Sequence, residues 1–128
     1  MGAVSKVAII GCGSVGSYIV EALSEYGISS FIFVDNDKLS AENIARHYCG
    51  YEYIGKKKAI ALKEKLCKHN PNIESEIYAE NGLLFIQDHA VELNSCDLIF
   101  VATANLPLEH KIVSEVCTGI ITKPVILT

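Results

Sequence analysis

The sequence lacks the paired cysteines that a disulfide-stabilised or zinc-binding protein needs. Its cysteines are odd in number and widely scattered, and no two of them form a CxxC pair. This pattern excludes a disulfide framework and a structural zinc site. We expect most of the thiols to be small buried hydrophobic groups in a reducing compartment. Cys12 is the exception to follow, because its neighbours place it in a loop; the others are Cys49, Cys67, Cys96 and Cys117.

The sequence also lacks long apolar runs and an excess of positive charge. No uncharged apolar segment approaches the roughly 20 residues that a bilayer-spanning helix requires, and the N-terminus carries no basic and apolar secretion signal. The formal net charge is −4, from 11 basic and 15 acidic side chains, whereas a surface that binds nucleic acid must be basic. We therefore expect a cytoplasmic protein with neither a membrane segment nor a nucleic-acid-binding surface.

No linker divides the chain into domains. Its 128 residues are 50% hydrophobic, and no proline-rich or glycine- and serine-rich stretch interrupts them. We therefore predict a single domain over residues 1–128. The chain ends at an apolar strand without a capping helix or polar tail, so we expect the domain to be truncated at its C-terminus and to belong to a longer protein.

Strand and helix patterns alternate along the whole chain. Apolar runs at residues 4–10 and 31–34 predict strands buried on both faces, whereas residues 73–79 alternate and predict an edge strand. This alternation implies right-handed βαβ crossovers. The predicted fold class is therefore α/β, a Rossmann-like three-layer arrangement with a mostly parallel twisted sheet. The remaining predicted elements are strands at 97–101 and 124–127, a short segment at 40–46, and helices at 15–26, 54–69, 83–93 and 106–117.

A glycine motif joins the first predicted strand to the first predicted helix. Gly11, Gly13 and Gly16 form a GxGxxG pattern, and the strand-to-helix context makes that pattern meaningful. The glycines permit a tight turn, a close approach of phosphate to the backbone and close packing of the helix. N–H groups at the helix start then face the phosphates. Within the motif, the hydroxyl of Ser14 is available to cap the helix or to contact a phosphate.

An acidic residue follows the second predicted strand. Asp35 ends that strand and so lies beside the glycine loop, where the hydroxyls of a ribose need an acceptor. With strand, loop, helix and acid in register, we predict that a nucleotide binds here.

Further polar positions follow Asp35 at separate places in the chain. They are Asp37, the pair Asn43-x-x-Arg46, then Gly55-x-x-Lys58, and Thr103-x-Asn105 after the fourth strand. Arg46 is the only arginine, and its planar guanidinium can clamp phosphate oxygens with two hydrogen bonds, which lysine cannot do. Lys58 ends a run of three lysines, and we expect the other two to face solvent.

This order of residues resembles the adenylating domain of the ThiF/MoeB/HesA family, the bacterial relatives of ubiquitin-activating E1 enzymes. The resemblance covers nearly the whole chain. It implies an enzyme that uses ATP to activate the C-terminal glycine of a small ubiquitin-like or sulfur-carrier protein ending in Gly-Gly. The glycine carboxylate attacks the α-phosphate, pyrophosphate leaves, and a protein acyl-adenylate forms. The family also implies Mg²⁺ as a cofactor and a homodimer when the protein is full length.

The resemblance assigns roles to residues of this chain. It implies that Asp35 holds the ribose and that Asn43 and Arg46 hold the phosphate region. Lys58 would neutralise phosphate charge in the transition state, so Arg46 and Lys58 are the predicted catalytic residues. The full predicted nucleotide-binding set is Gly11, Gly13, Ser14, Gly16, Asp35, Asp37, Asn43, Arg46, Lys58 and Asn105.

The sequence departs from the family pattern at position 104, where the family usually carries an Asp that coordinates magnesium. Ala104 cannot ligate a hard cation that requires oxygen donors. Either Asp37 or another acid compensates, or the protein binds nucleotide without catalysing well. Two alternatives therefore stay open. One is an NAD-binding Rossmann domain of a dehydrogenase, which the glycine motif and Asp35 serve equally well; the other is a non-catalytic nucleotide-binding descendant.

Aromatic residues and a histidine fill the segment between Arg46 and Lys58. For His47 the alternatives are an ordinary histidine and one that lines the nucleotide pocket. The tyrosines make an aromatic loop whose expected role is packing, with nucleotide covering or partner contact as the alternatives; they are Tyr48, Tyr51 and Tyr53.

Overall fold

The computed structural model describes residues 4–128 as a five-stranded sheet flanked by helices. Residues 1–3 of the predicted domain lie outside the described part. The strands are β1 (Lys6–Ile10), β2 (Ser30–Val34), β3 (Glu74–Tyr78), β4 (Leu98–Val101) and β5 (Val125–Leu127). The helices are α1 (Ser14–Glu25), α2 (Lys58–His69), α3 (Gly82–Asp88), α4 (Ala90–Asn94) and α5 (Leu106–Cys117), with 3₁₀ turns at Ile44–Arg46 and Tyr51–Tyr53.

The sheet is parallel and doubly wound. Its strand order is β3-β2-β1-β4-β5, and all four neighbouring pairs run parallel. In the central strand, Ile9 pairs with Phe33 of β2 on one side and with Phe100 of β4 on the other. The chain builds outward from β1 to β3 and then crosses back to β4. The order therefore reverses between β1 and β4, and this reversal is the switch point where such sheets bind ligands.

Two apolar cores lie on the two faces of the sheet. Alternate residues of a strand point to opposite faces, so Ile9 and Phe33 join α1 and α2 in one core. Ile10 and Val34 join α3, α4 and α5 in the other. Complete burial of each such side chain contributes about 1.5–3 kcal/mol. The predicted three-layer α/β class and its mostly parallel sheet are confirmed, and β3 lies at an edge as its alternation indicates.

The second long helix begins later than predicted. α2 begins at Lys58 rather than at residue 54, because Gly55 has a φ of +90° and Lys57 is extended, with φ −57° and ψ 136°. Residues 37–39 run beside residues 55–58 in this segment. The N–H groups of Lys58 and Gly55 donate to the carbonyls of Asp37 and Leu39, each at 2.8 Å. These bonds engage backbone groups that an earlier helix would have used.

The predicted helix at 83–93 is two helices. His89 interrupts it with φ −124° and ψ 36°, outside the helical region. In this position the His89 ring stacks on Phe85, with centroids 4.7 Å apart, and its ring nitrogens approach carboxylates of Glu80 and Glu92 at 3.3 and 3.4 Å. Aromatic stacking and these carboxylates stabilise the break between the two helices, and neither contact appears in the hydrophobic periodicity of the sequence.

The cysteines are free thiols. Cys12, Cys49 and Cys96 are buried, Cys67 is half-buried and Cys117 is exposed, so three of the five are the buried hydrophobic groups that we expect. Within the part of the chain that the structure describes, the helices are too short or too polar to cross a membrane.

Candidate functional site

A crevice opens where β1, β2 and β4 end, at the switch point of the sheet. Its volume of about 450 Å³ is typical of small-molecule sites. Loops leaving neighbouring strands diverge at such a point and leave room for a ligand. The lining residues are Ile10, Gly11, Gly13, Val34, Asp35, Asn36, Asp37, Lys58, Asn81, Gly82, Leu83, Ala102, Thr103, Asn105, Pro107 and Leu108.

The three glycines of the loop after β1 differ in their steric surroundings. Gly11 has a φ of +101°, and a Cβ there would lie 2.5 Å from the carbonyl oxygen of Ala102. A Cβ on Gly16 would overlap the carbonyl oxygen of Gly11, so only glycine lets α1 pack against the loop. A Cβ on Gly13 would meet no atom of residues 4–128 within 4 Å. Gly13 therefore leaves open space at the crevice rather than making room for packing.

The start of α1 carries no side-chain cap from residues 4–128. Gly13 precedes the helix, and its carbonyl accepts the N–H of Ser17 at 2.9 Å. The first turn holds no acidic residue either, so the positive end of the helix dipole is not neutralised locally. Among the described residues, Ser14 therefore does not cap the helix with its hydroxyl. Ser14 borders a groove on the outer face of α1 instead of the crevice.

Asp35 lies beside the glycine loop and shapes it. Its Oδ2 accepts the backbone N–H of Cys12 at 2.7 Å, and its Oδ1 accepts the N–H of Asp37 at the same distance. Both bonds use backbone donors, which tie the loop after β1 to the turn after β2. Each carboxylate oxygen can accept a second hydrogen bond, so Asp35 retains acceptor capacity toward the crevice that it lines.

Lys58 reaches the crevice from the first residue of α2. The backbone hydrogen bond to Asp37 described above fixes its position, and its Nζ lies 3.7 Å from Oδ2 of Asp37. The Lys58 side chain is only 13% exposed, whereas that of Asp37 is 77% exposed. A largely buried cation at a helix N-terminus opposes the helix dipole, so helix stability does not explain this lysine. The other two lysines of the run behave differently: Lys56 pairs with Glu64 at the surface, while Lys57 donates to the carbonyl of Asn36.

The segment after β4 also lines the crevice, through Ala102, Thr103 and Asn105. Ala104 has a φ of +52°, the left-handed region that favours glycine, asparagine and aspartate. Asn105 precedes α5, and its side-chain oxygen accepts the N–H of Leu108 at 3.1 Å. The side-chain amide of Asn105 keeps its two donor hydrogens available at the crevice.

The structure does not bring Asn43 and Arg46 to the lining of this crevice. The Oδ1 of Asn43 accepts the N–H and the hydroxyl of Ser40, both at 2.9 Å, and so stabilises the turn before the first 3₁₀ segment. Arg46 is exposed and borders the groove on the outer face of α1, beside Val15 and Tyr18. Of the two predicted catalytic cations, Lys58 lies at the crevice, whereas Arg46 lies outside it in the groove on the outer face of α1.

His47 is buried beneath the glycine loop rather than lining the crevice. It is 4% exposed, and its Nε2 lies 2.7 Å from the carbonyl oxygen of Cys12, while its Nδ1 accepts the N–H of Cys49 at 3.1 Å. Burial is the main cause that lowers the pKa of His47, and Lys58 lowers it further. Burial likewise raises the pKa of the Cys12 thiol, with Asp35 adding to the effect. The loop cysteine is therefore an inert thiol.

The tyrosine-rich segment divides between packing and solvent. Tyr53 is buried, and Tyr48 packs edge-on against Tyr18 with ring centroids 6.2 Å apart. The Nζ of Lys65 lies 4.5 Å from the Tyr48 ring centroid, while Tyr51 is 76% exposed. Packing therefore accounts for Tyr48 and Tyr53.

Sequence reasoning missed the residues after β3 that line the crevice. Asn81, Gly82 and Leu83 lie at the start of α3, where Oδ1 of Asn81 accepts the N–H groups of Leu83 and Leu84 at 2.9 and 3.3 Å. Parallel strands present their carboxyl ends at one edge of the sheet, so the polar Asn81 after the third predicted strand is the signal that would have found them.

Comparisons with known proteins identify relatives over most of the chain. A family model described as the ThiF family matches residues 3–126. The chain is 32% identical over 111 residues to the ATP-dependent ubiquitin transferase-like protein Cap2 of Vibrio cholerae, which covers 84% of this chain and 18% of that protein. It is 33% identical over 75 residues to ubiquitin-like modifier-activating enzyme 5 of Caenorhabditis elegans, covering 59% and 18%. The chain thus spans about a fifth of the length of these relatives.

Solved structures share the fold. A structure of E. coli MccB with ATP superposes with a TM-score of 0.79 at 25% identity, covering 96% of this chain and 36% of that one. A structure of the E. coli tRNA N6-threonylcarbamoyladenosine dehydratase TcdA with AMP gives a TM-score of 0.82 at 19% identity, covering 96% and 49%. The second likeness concerns the fold alone. The same fold therefore occurs in proteins crystallised with adenine nucleotides.

Proposed function

The chain belongs to the ThiF family, and we propose that it binds ATP and adenylates the C-terminal glycine of a small ubiquitin-like or sulfur-carrier protein ending in Gly-Gly. The observation that carries the proposal is the position of Lys58, a nearly buried ammonium at the crevice beside the glycine loop. Because the chain covers only part of its relatives, the activity is proposed for the whole protein that contains this domain.

The phosphates would bind at the start of α1. Backbone N–H groups of the first helical turn have no intrahelical partner, and the helix dipole adds positive potential there. The open space beside Gly13 supports this placement, since a phosphate oxygen must approach the backbone closely.

The ribose would bind at Asp35. Both of its oxygens already accept a backbone N–H, which fixes the carboxylate in one orientation, and each keeps capacity for one ribose hydroxyl. An oriented acceptor loses less conformational entropy on binding than a mobile one.

Lys58 would stabilise negative charge on the phosphoryl oxygens. The carrier carboxylate forms a bond to the α-phosphorus as the bond to the pyrophosphate oxygen breaks, and pyrophosphate leaves with that electron pair. The transition state concentrates negative charge on phosphoryl oxygens, so a cation held in place stabilises it more than the ground state. Low exposure of Lys58 reduces screening of this interaction by water.

Asn43 and Arg46 would complete the phosphate region after a local movement. Arg46 lies beside Ser14 at the first turn of α1, and no ion pair among residues 4–128 engages its guanidinium. An exposed arginine without a partner can reorient at little cost when a triphosphate arrives. Asn43 belongs to the same loop and would move with it.

Magnesium fits this site as an ion carried mainly by the triphosphate. Mg²⁺ usually takes one or two protein carboxylates and completes its shell with phosphate oxygens and water. Asp37, exposed at the crevice, would supply that carboxylate, and Asn105 would offer its amide to the nucleotide. When bound, the ion would neutralise phosphate charge. The described residues contain no cluster of three or more acidic, histidine or cysteine ligands, so the nucleotide itself would contribute most of the ligands.

A second candidate is a nucleotide-binding domain that has lost catalysis. Ala104 favours it, because the residue stands where the family's magnesium-binding aspartate is expected and cannot donate oxygen. Ala104→Asp separates the two candidates: a slow enzyme should gain exchange activity, whereas a non-catalytic domain should gain none. The homodimer and the cytoplasmic location stay predictions, testable by light scattering and cell fractionation.

ATP–pyrophosphate exchange tests the proposal. The protein that contains this domain is assayed with carrier proteins ending in Gly-Gly, comparing wild type with Lys58→Gln and with Lys56→Gln as a matched surface control. We expect Lys58→Gln to lower exchange by about 100-fold and Lys56→Gln to leave it unchanged. Equal activity of both variants would refute the role of Lys58. Tighter calorimetric binding of NAD than of ATP would favour a dehydrogenase domain instead.

A further inference from the structure

The hydrogen-bond partners of His47 define its protonation state. A carbonyl oxygen only accepts and a backbone N–H only donates, so the contact with Cys12 requires a proton on Nε2 and the contact with Cys49 requires none on Nδ1. His47 is therefore a neutral imidazole whose Nε2–H donates to the Cys12 carbonyl. It is buried beneath the loop, at 4% exposure.

The peptide unit that His47 holds includes the N–H of Gly13. The carbonyl of Cys12 and the N–H of Gly13 belong to one planar trans peptide and point in opposite directions. A carbonyl fixed toward the core therefore turns the Gly13 N–H away from the core. No hydrogen bond within residues 4–128 uses that N–H, and a hydrogen bond accepted by the carbonyl polarises the peptide and makes its N–H a better donor.

Asp35 fixes the preceding peptide in the same way. Its Oδ2 accepts the N–H of Cys12 at 2.7 Å, so both backbone polar groups of Cys12 are bound, one by Asp35 and one by His47. Glycines flank Cys12 on both sides and give the loop conformational freedom that these two bonds remove. The buried Cys12 side chain adds a third restraint.

On the basis of the nucleotide site proposed above, we propose that His47 is a positioning residue for the phosphates: through the Cys12 carbonyl, it orients the Gly13 N–H toward the bound nucleotide. His47 makes no contact with the ligand in this role. The neutral form is favoured because burial and Lys58 lower the pKa of His47; Lys65 acts in the same direction, whereas Asp35 and the Cys12 carbonyl oppose it.

Two conservative substitutions separate the contacts of His47. In His47→Gln the side-chain amide nitrogen takes the place of Nε2 and keeps the donor to Cys12, and in His47→Asn the side-chain oxygen takes the place of Nδ1 and keeps the acceptor for Cys49. Each variant loses one buried hydrogen bond, so the two are matched in the number of hydrogen bonds lost.

ATP affinity of the two variants tests the proposal. We expect His47→Gln to bind ATP within about twofold of wild type and His47→Asn to bind about tenfold more weakly, since one oriented donor is lost. Equal affinities in the two variants, whether both high or both low, would overturn the proposal. Variants that retain wild-type circular dichroism are compared, so that a folding defect is not read as a binding defect.

Amide hydrogen exchange of the nucleotide-free protein gives a readout that does not depend on ATP binding. We expect exchange at the Cys12 amide, which donates to Asp35, to be faster in His47→Asn than in His47→Gln, with α2 unchanged in both. Equal exchange at the Cys12 amide would overturn the positioning role. If wild type binds no ATP while exchange still differs, the proposed function fails and the restraint on the loop stands.

Discussion

Replacing Gly13 by alanine should separate nucleotide binding from folding. A Cβ at this position meets no described atom within 4 Å, and the backbone, at φ −77° and ψ −156°, is open to alanine. The added methyl group would occupy the space that a phosphate oxygen needs. The variant should therefore fold normally and bind ATP poorly.

The magnitudes follow from the position of Gly13 at the start of α1. Alanine is a poorer residue than glycine before a helix by about 0.5–1 kcal/mol, while restricting the unfolded chain returns about 0.4–1 kcal/mol. The free energy of unfolding should thus change by less than about 0.5 kcal/mol. Losing one or two charge-assisted hydrogen bonds of about 1.5–3 kcal/mol each should raise the Kd for ATP by about 10- to 100-fold or more.

Gly16→Ala is the matched contrast. Its Cβ would overlap the backbone carbonyl of Gly11, and overpacking against backbone costs about 3 kcal/mol or more, offset by about 1 kcal/mol of helix propensity. We expect a net loss of about 2 kcal/mol in thermal or urea unfolding. Unchanged ATP affinity in Gly13→Ala, measured by calorimetry, would refute the placement of phosphate at this loop. Unchanged stability in Gly16→Ala would refute the packing argument.

Three further perturbations test other parts of the structure. Oδ2 of Asp97 accepts the N–H groups of Ser5 and Lys6 at 2.9 and 3.0 Å, and these bonds lower the pKa of Asp97 from 3.8. The wild-type protein should therefore lose thermal stability as the pH falls below that value, and Asp97→Asn should lose less stability over the same pH range. The pKa of His47 is lowered from 6.5, so stability should also fall as the pH drops below 6.5, and His47→Gln should remove that part of the pH dependence in thermal melts. Ala104→Asn should raise the free energy of unfolding by about 0.5–1 kcal/mol in urea titrations, because asparagine tolerates a φ of +52° better than alanine. An unchanged or lower free energy of unfolding would show that the backbone of Ala104 is not strained.

The sequence predicts the sheet and the glycine loop well because both depend on local signals. Continuous apolar runs identify β1 and β2, and Gly11 and Gly16 meet geometric demands that no other residue satisfies. Asp35 and Lys58 line the crevice because strand ends and backbone pairing place them there.

The parts that could not be predicted depend on tertiary contacts. The start of α2 depends on pairing with residues 37–39, which no helical periodicity reveals. Spacing alone relates Asn43 to Arg46, but the direction of the Arg46 side chain depends on how its loop packs against α1. His47 resembles any other histidine in sequence, and its role is visible only when the distance to the Cys12 carbonyl is known.

The backbone pairing of residues 37–39 with residues 55–58 holds together the two ends of the segment between them. With both ends already joined by backbone bonds, doubling the length of that segment would add only about 0.6 kcal/mol of closure entropy. Insertions near its exposed tip at Tyr51 would therefore leave the Lys58 ammonium in place. The backbone pairing thus separates the position of Lys58 from changes in length at that tip.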